Sequence, residues 1–97
     1  MSQIESKEVV SSIIVRNPRT QNIVLCLEPW GDELTLAPGV SYRIQATGPS
    51  NNNLQIEFPE YGVVVYGWSG STLTIFNGED VVRDCQPRIP SLPNSAG

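Results

Sequence analysis

Histidine is absent from all 97 residues of this chain. The sequence therefore lacks the commonest general base, the usual imidazole metal ligand, and every Ser-His or Cys-His nucleophile pair. A blue-copper centre is excluded on the same ground, because it needs two His and one Cys. We predict a protein that is not an enzyme, with no catalytic residues, no metal site and no cofactor.

Basic side chains and long apolar runs are also scarce. Six Lys and Arg residues stand against ten Asp and Glu residues, and the net charge of −4 is spread along the chain. Binding to nucleic-acid phosphates needs clustered positive charge, so no nucleic-acid partner is predicted. No stretch reaches the roughly 18 apolar residues that cross a bilayer, and residues 1–10 lack the features of a secretory signal. We expect no membrane partner and a cytoplasmic location.

The two cysteines, Cys26 and Cys85, are far apart, and neither belongs to a CxxC motif. In a reducing compartment, two free thiols are favoured over a disulfide. We expect Cys26 to be a small core residue. Cys85 precedes the Pro-rich C-terminal segment and is expected to be more exposed.

Good helix formers are few, whereas ten Val and eight Ile residues favour strands. Short alternating apolar segments, separated by Pro, Gly and Asn turn signals, predict seven or eight strands. They cover residues 9–16, 22–28, 33–36, 40–47, 54–58, 63–68, 72–76 and 81–83. The pattern predicts an all-β fold, an antiparallel β-sandwich of seven or eight strands that is immunoglobulin-like or cupredoxin-like. A small barrel or a jelly roll is the alternative.

The length of the chain is that of a single domain. We expect residues 1–8 to form a flexible N terminus and residues 9–85 to form the β-sandwich. Residues 86–97 contain three prolines and are predicted to form a disordered tail.

The first expected hairpin joins the strands on either side of the EPWG segment. Its predicted register places Leu27 opposite Leu34 and Leu25 opposite Leu36. The apolar odd positions of residues 23–27 are expected to face the core, because they are the more strongly apolar set.

Residues 62–71, with the sequence GVVVYGWSGS, form the stretch around which the other strands are predicted to be arranged. The consecutive apolar residues 63–66 predict a strand in the middle of a sheet, because both of its faces must be covered. The turn signal at residues 69–71 predicts a hairpin with residues 72–76. One face of that hairpin would carry Val64, Tyr66, Trp68 and Phe76. Left uncovered, this face is an apolar patch that predicts self-association.

Four short motifs carry a resemblance to known sequences. They are EPWG at residues 28–31, LAPG at 36–39, GP at 48–49 and VYGWSGST at 65–72. Together they resemble a group of small uncharacterised bacterial proteins with an EPWG turn and a VYGWxGST hairpin, over roughly residues 20–76. The resemblance implies a bacterial β-domain. It implies no catalytic or binding residue, because no activity is assigned to that group.

The predicted function is a non-enzymatic protein-interaction or structural domain that binds a protein partner or forms a homo-oligomer. Its predicted interaction surface consists of Trp30, Val64, Tyr66, Trp68 and Phe76, since aromatic side chains anchor interfaces. The alternative is a carbohydrate-binding module in which Trp30 and Trp68 stack on sugar rings.

A third hypothesis uses the carboxylates of Glu28, Asp32 and Glu33, which lie near one predicted turn. Such a cluster suits a hard cation or acid–base chemistry. Exposed acids on a loop are more often simply solvated, and a chain this short can hardly enclose a substrate cleft.

Overall fold

The computed structural model describes residues 7–86 and 88–90. Predictions for residues 1–6, Pro87 and residues 91–97 lie outside the described residues. Within the described ranges the chain forms strands and no helix. The strands are β1 (Glu8–Arg16), β2 (Ile23–Glu28), β3 (Asp32–Leu36), β4 (Ser41–Pro49), β5 (Gln55–Glu57), β6 (Gly62–Tyr66), β7 (Thr72–Asn77) and β8 (Asp80–Cys85). The predicted all-β fold with eight strands is confirmed.

The strands form two four-stranded sheets. Sheet A has the order β1-β4-β7-β8, and sheet B has the order β3-β2-β6-β5. Every pair is antiparallel except β2 and β6, which run parallel. The fold is therefore a small β-sandwich with one parallel pair, and its finer immunoglobulin-like or cupredoxin-like assignment stays a prediction. A helix with the length and apolar character needed to span a membrane is not found in the described part of the chain.

Apolar side chains on the facing sides of the two sheets fill the space between them. Successive side chains of a strand point to opposite faces, so one alternating set from each strand enters the core. The buried core residues are Ile44, Ala46, Leu73, Ile75 and Cys85 from sheet A, Ile23, Leu25, Leu27, Leu36, Val63 and Val65 from sheet B, and Trp68. The inward set predicted for residues 23–27 is confirmed.

The central position predicted for the Val63–Tyr66 strand is also confirmed, because β6 lies between β2 and β5. The predicted hairpin with the next strand is wrong. Both edges of β6 are occupied, so β7 lies in the other sheet, where it pairs with β4 and β8. Residues 67–71 therefore carry the chain from sheet B to sheet A.

The register predicted between β2 and β3 is wrong by two residues. Leu25 lies opposite Leu34, and Leu27 lies opposite Asp32. The Gly31 N–H donates to the Leu27 carbonyl oxygen at 2.9 Å, which closes a five-residue turn from Leu27 to Gly31. Because the turn is this tight, β3 begins at Asp32.

The described part of the predicted tail forms hydrogen bonds with residues 67–71, the loop that crosses between the two sheets. The Gly70 N–H donates to the Ile89 carbonyl at 2.7 Å, and the Ile89 N–H donates to the Ser71 carbonyl at 3.0 Å. Arg88 also donates to the Gly70 carbonyl at 2.8 Å. Arg88 and Ile89 are thus hydrogen-bonded to residues 70–71, within the segment that the sequence predicted to be a disordered tail.

Candidate functional site

The two tryptophans do not form a pair of exposed rings. Trp68 is only 5% exposed, and its indole N–H donates to the Pro49 carbonyl at 2.8 Å. Trp30 is half-buried and packs against the core. A carbohydrate-binding module that uses both rings needs an open face on each. Trp68 offers none, so the structure does not assemble that site.

The predicted interaction surface is divided between the core and two opposite faces of the molecule. Val64 and Tyr66 lie on the outer face of sheet B, where the Tyr66 hydroxyl donates to Glu57 at 3.1 Å. Phe76 lies on the outer face of sheet A, with the Arg43 guanidinium 4.2 Å from the ring centre. The single face predicted for these residues is wrong, because it required the hairpin between β6 and β7.

The three carboxylates of the predicted turn also point in different directions. Asp32 forms an ion pair with Arg83 at 3.1 Å, on the side of the sandwich where β3 faces β8. Glu33 lies opposite Cys26 on the outer face of sheet B, which Glu28 shares. Residues 7–86 and 88–90 contain no group of three or more His, Cys, Asp or Glu side chains placed to hold a metal ion.

Both cysteines are free and buried, as predicted for a reducing compartment. The greater exposure expected for Cys85 is wrong, because only 2% of it is exposed against 6% for Cys26. Cys85 is the last residue of β8, and its thiol donates to the carboxylate of Asp32 in β3 at 3.5 Å. Burial, with this hydrogen bond, raises the pKa of Cys85 to about 12. Burial and the nearby Glu33 also raise the pKa of Cys26, so neither thiol has the character of an activated nucleophile.

The Cys85 thiol predicts a loss of stability at high pH. Its ordinary pKa is 9.0 and its pKa in the folded protein is about 12. As the pH rises through this interval the unfolded chain loses the proton and the folded chain keeps it, so unfolding becomes more favourable. Urea unfolding of wild type and Cys85→Ala from neutral to alkaline pH measures this effect. The stability advantage of wild type should shrink above pH 9.0, and a constant difference would contradict the assignment.

Three of the four edge strands resist pairing with another chain. β5 has only three residues, and β3 begins with two acidic residues. β8 carries three charged residues, and its register with β7 shifts midway along the strand. Short, charged or irregular edges are those that natural sheets use against edge-to-edge association.

The fourth edge strand, β1, is neither short nor irregular, and its two charged residues, Glu8 and Arg16, stand only at its ends. It has nine residues, EVVSSIIVR, and pairs with β4 without a break from Glu8 opposite Pro49 to Arg16 opposite Ser41. It contains neither Lys nor Pro. Its outward-facing residues Val10 and Ile14 are 63% and 71% exposed. A long, regular, apolar edge of this kind is a template for another strand.

No strand of the described residues pairs with the outer edge of β1, which we call its free edge. The backbone groups that face this edge follow from the hydrogen bonds at the two ends of β1. The Ser50 N–H donates to the Lys7 carbonyl at 3.0 Å, and the Asn17 N–H donates to the Val40 carbonyl at 3.0 Å. Backbone groups alternate sides along an antiparallel strand, so the odd-numbered residues of β1 bond to β4. The N–H and C=O groups of the even-numbered residues, from Glu8 to Arg16, therefore point to the free edge.

An apolar groove runs beside the free edge, between β1 and β5. Its volume is about 490 Å³, and its apolar lining includes Ile13, Ile23, Ile56, Phe58 and Val63. Phe58 is 77% exposed at its mouth. The edge of β1 is thus bordered by apolar surface that a partner strand would cover.

Reasoning from the sequence identified β1 as a strand but not as an edge strand. The signal was present, since five of the seven residues from Val9 to Val15 are apolar and none is charged. What the sequence did not reveal is which strands lie at the edges, because that depends on the strand order of each sheet.

Comparison with known proteins finds no family model, no curated protein and no solved structure that matches this chain.

Proposed function

We propose that this chain is a non-enzymatic protein-interaction domain that binds by adding a strand from its partner to the free edge of β1. The observation that carries the proposal is the contrast among the four sheet edges. β1 alone among them is long, regular and apolar within the described residues.

The chemistry of the edge supports recognition of an extended segment. The N–H and C=O groups of the even-numbered residues of β1 can form hydrogen bonds with a partner strand. Such main-chain hydrogen bonds provide affinity in strand addition. Val10 and Ile14 provide apolar contacts for alternate side chains of the partner, which give specificity. An exposed row of unpaired backbone donors and acceptors beside apolar side chains promotes pairing with other chains. Natural proteins usually protect such an edge.

Ser12→Pro is the sharpest test of this proposal. Ser12 is the middle residue of β1, and its N–H points to the free edge. Proline removes that donor while leaving the pairing with β4 intact, which is why sheets tolerate proline at edges. Ser12→Ala is the matched control, because it shortens the side chain and keeps the N–H.

The probe is a displayed library of random nine-residue peptides, selected on wild-type protein immobilised at low density. We expect alternating apolar peptides whose affinity falls at least about tenfold with Ser12→Pro and is unchanged with Ser12→Ala. Thermal unfolding of both variants checks that the domain is folded. Failure to select any peptide, or equal binding to both variants, would refute the proposal.

A further inference from the structure

We infer that the partner at this edge is a second copy of the same chain, joined β1 to β1 in antiparallel orientation across a twofold axis that passes at Ser12. The inference rests on the proposed function and adds the identity and register of the partner strand. It comes from the order of residues along β1, which is complementary to itself when the strand is reversed.

The backbone satisfies this arrangement over the full strand. With Ser12 opposite the partner's Ser12, every even-numbered residue lies opposite an even-numbered residue. These are the residues whose N–H and C=O groups face the free edge. Each such pair exchanges two hydrogen bonds, so five pairs supply about ten.

The outward side chains of the two strands also match. Glu8 lies opposite the partner's Arg16 at each end of the ladder, which places opposite charges across the strands. Val10 lies opposite the partner's Ile14, so the two exposed apolar residues of each β1 strand are covered by those of the other strand. Directly opposed charge pairs and apolar pairs are the units that stabilise antiparallel strands.

Neighbouring registers lose this match. A twofold axis at Ser11 places Glu8 opposite the partner's Ile14. It also leaves Arg16 beyond the end of the hydrogen-bonded β1–β1 ladder. An axis at Ile13 places Val10 opposite the partner's Arg16 and leaves Glu8 without a partner residue. Both registers shorten the ladder and set a charge against an apolar side chain, which disfavours them.

Glu8 keeps its contact within its own chain in this arrangement. Arg88 donates to the Glu8 carboxylate at 2.6 Å, and both side chains are about half exposed. A carboxylate accepts from more than one donor, so Glu8 can bond Arg88 and the partner's Arg16 together. Pairing of the two chains would turn sheet A into one eight-stranded sheet and remove its longest exposed edge.

Charge exchange tests both the partner and the register. Glu8→Arg places like charges opposite one another in its own dimer, and Arg16→Glu does the same with negative charges. In an equimolar mixture, the arginine that replaces Glu8 in one chain meets the glutamate that replaces Arg16 in the other. We expect each single variant to dimerise about tenfold more weakly than wild type, and the mixture to regain wild-type affinity. The double variant Glu8→Arg/Arg16→Glu is the control that pairs with itself.

A general effect of net charge gives a different result. Glu8→Arg changes the net charge from −4 to −2, and Arg16→Glu changes it to −6. General repulsion between like-charged chains would therefore strengthen the dimer in the first variant and weaken it in the second. The proposed register weakens both. Sedimentation equilibrium provides the dissociation constants, and thermal unfolding checks that each variant is folded.

The outcomes separate this inference from the proposed function. A wild-type chain that stays monomeric up to about 1 mM overturns self-pairing. Selected peptides that still lose binding with Ser12→Pro would then keep the proposed function. A dimer whose single variants are not rescued by mixing overturns the register. A dimer that survives Ser12→Pro unchanged contradicts both, because the interface then lies elsewhere.

Discussion

Gly62→Ala is expected to cause a large loss of folding stability. Gly62 lies opposite Val24 in the parallel pair of β2 and β6, at the centre of sheet B. A Cβ atom at this position would lie 2.0 Å from the Val24 carbonyl oxygen and 2.8 Å from its nitrogen. Backbone atoms cannot move aside as a flexible side chain can, so the two central strands must separate. That separation also strains the bond from the Val24 N–H to the Tyr61 carbonyl, now 2.9 Å.

The free energy of unfolding should fall by more than about 4 kcal/mol, as it does when a substitution disrupts the core or the backbone. A domain of this size has a total stability of about 5–15 kcal/mol, so this loss is a large fraction of it. Urea unfolding, followed by the fluorescence of Trp30 and Trp68, measures the change.

Gly39→Ala is the matched control for this variant. Gly39 has a φ of +76°, and nothing lies within 4 Å of a Cβ placed on it. The free energy of unfolding of Gly39→Ala should fall only by the cost of placing alanine in a left-handed conformation, about 1–2 kcal/mol. Equal losses at the two positions would mean that backbone conformation, and not the contact with Val24, decides the effect at Gly62.

The alternating positions of this fold could be predicted from the sequence, because they depend on local geometry alone. Leu25 and Leu27 in β2 and Ile44 in β4 face the core as the period of two requires. The central position of Val63–Val65 was also predictable, since consecutive apolar residues need cover on both faces.

The pairing of strands across the sandwich could not be predicted in the same way. The signal at Ser69–Ser71 indicates a tight turn, but a tight turn can return the chain along the same sheet or carry it to the opposite one. The choice depends on whether β2 and β5 already occupy both edges of β6, and this is a non-local property. The single face predicted around Trp68 was wrong for that reason, and the position of β1 at a sheet edge was not predicted for the same reason.

Asn17→Ala is expected to destabilise the protein by about 3 kcal/mol, because it removes the buried side chain that joins the β1–β2 connection to the end of β3. Asn17 is completely buried. Its Nδ2 donates to the carbonyls of Gln21 and Leu36, each at 2.8 Å, and its Oδ1 accepts the Arg19 N–H at 2.8 Å. Alanine leaves these backbone groups without their partner, and an unsatisfied buried group costs about 1–3 kcal/mol.

The melting temperature should fall by roughly 15 °C, the shift that this energy produces in a domain of about 100 residues. Asn22→Ala is the control, because Asn22 is an exposed asparagine in the same connection, and its change should stay within about 0.5 kcal/mol. Asn17→Asp separates the hydrogen bonds from the volume, since it keeps the acceptor for Arg19 and loses both donors. It should be at least as damaging as alanine at neutral pH, because a buried carboxylate would then face the Leu36 carbonyl oxygen. A near-wild-type melting temperature for Asn17→Asp would show that the two donated bonds contribute little.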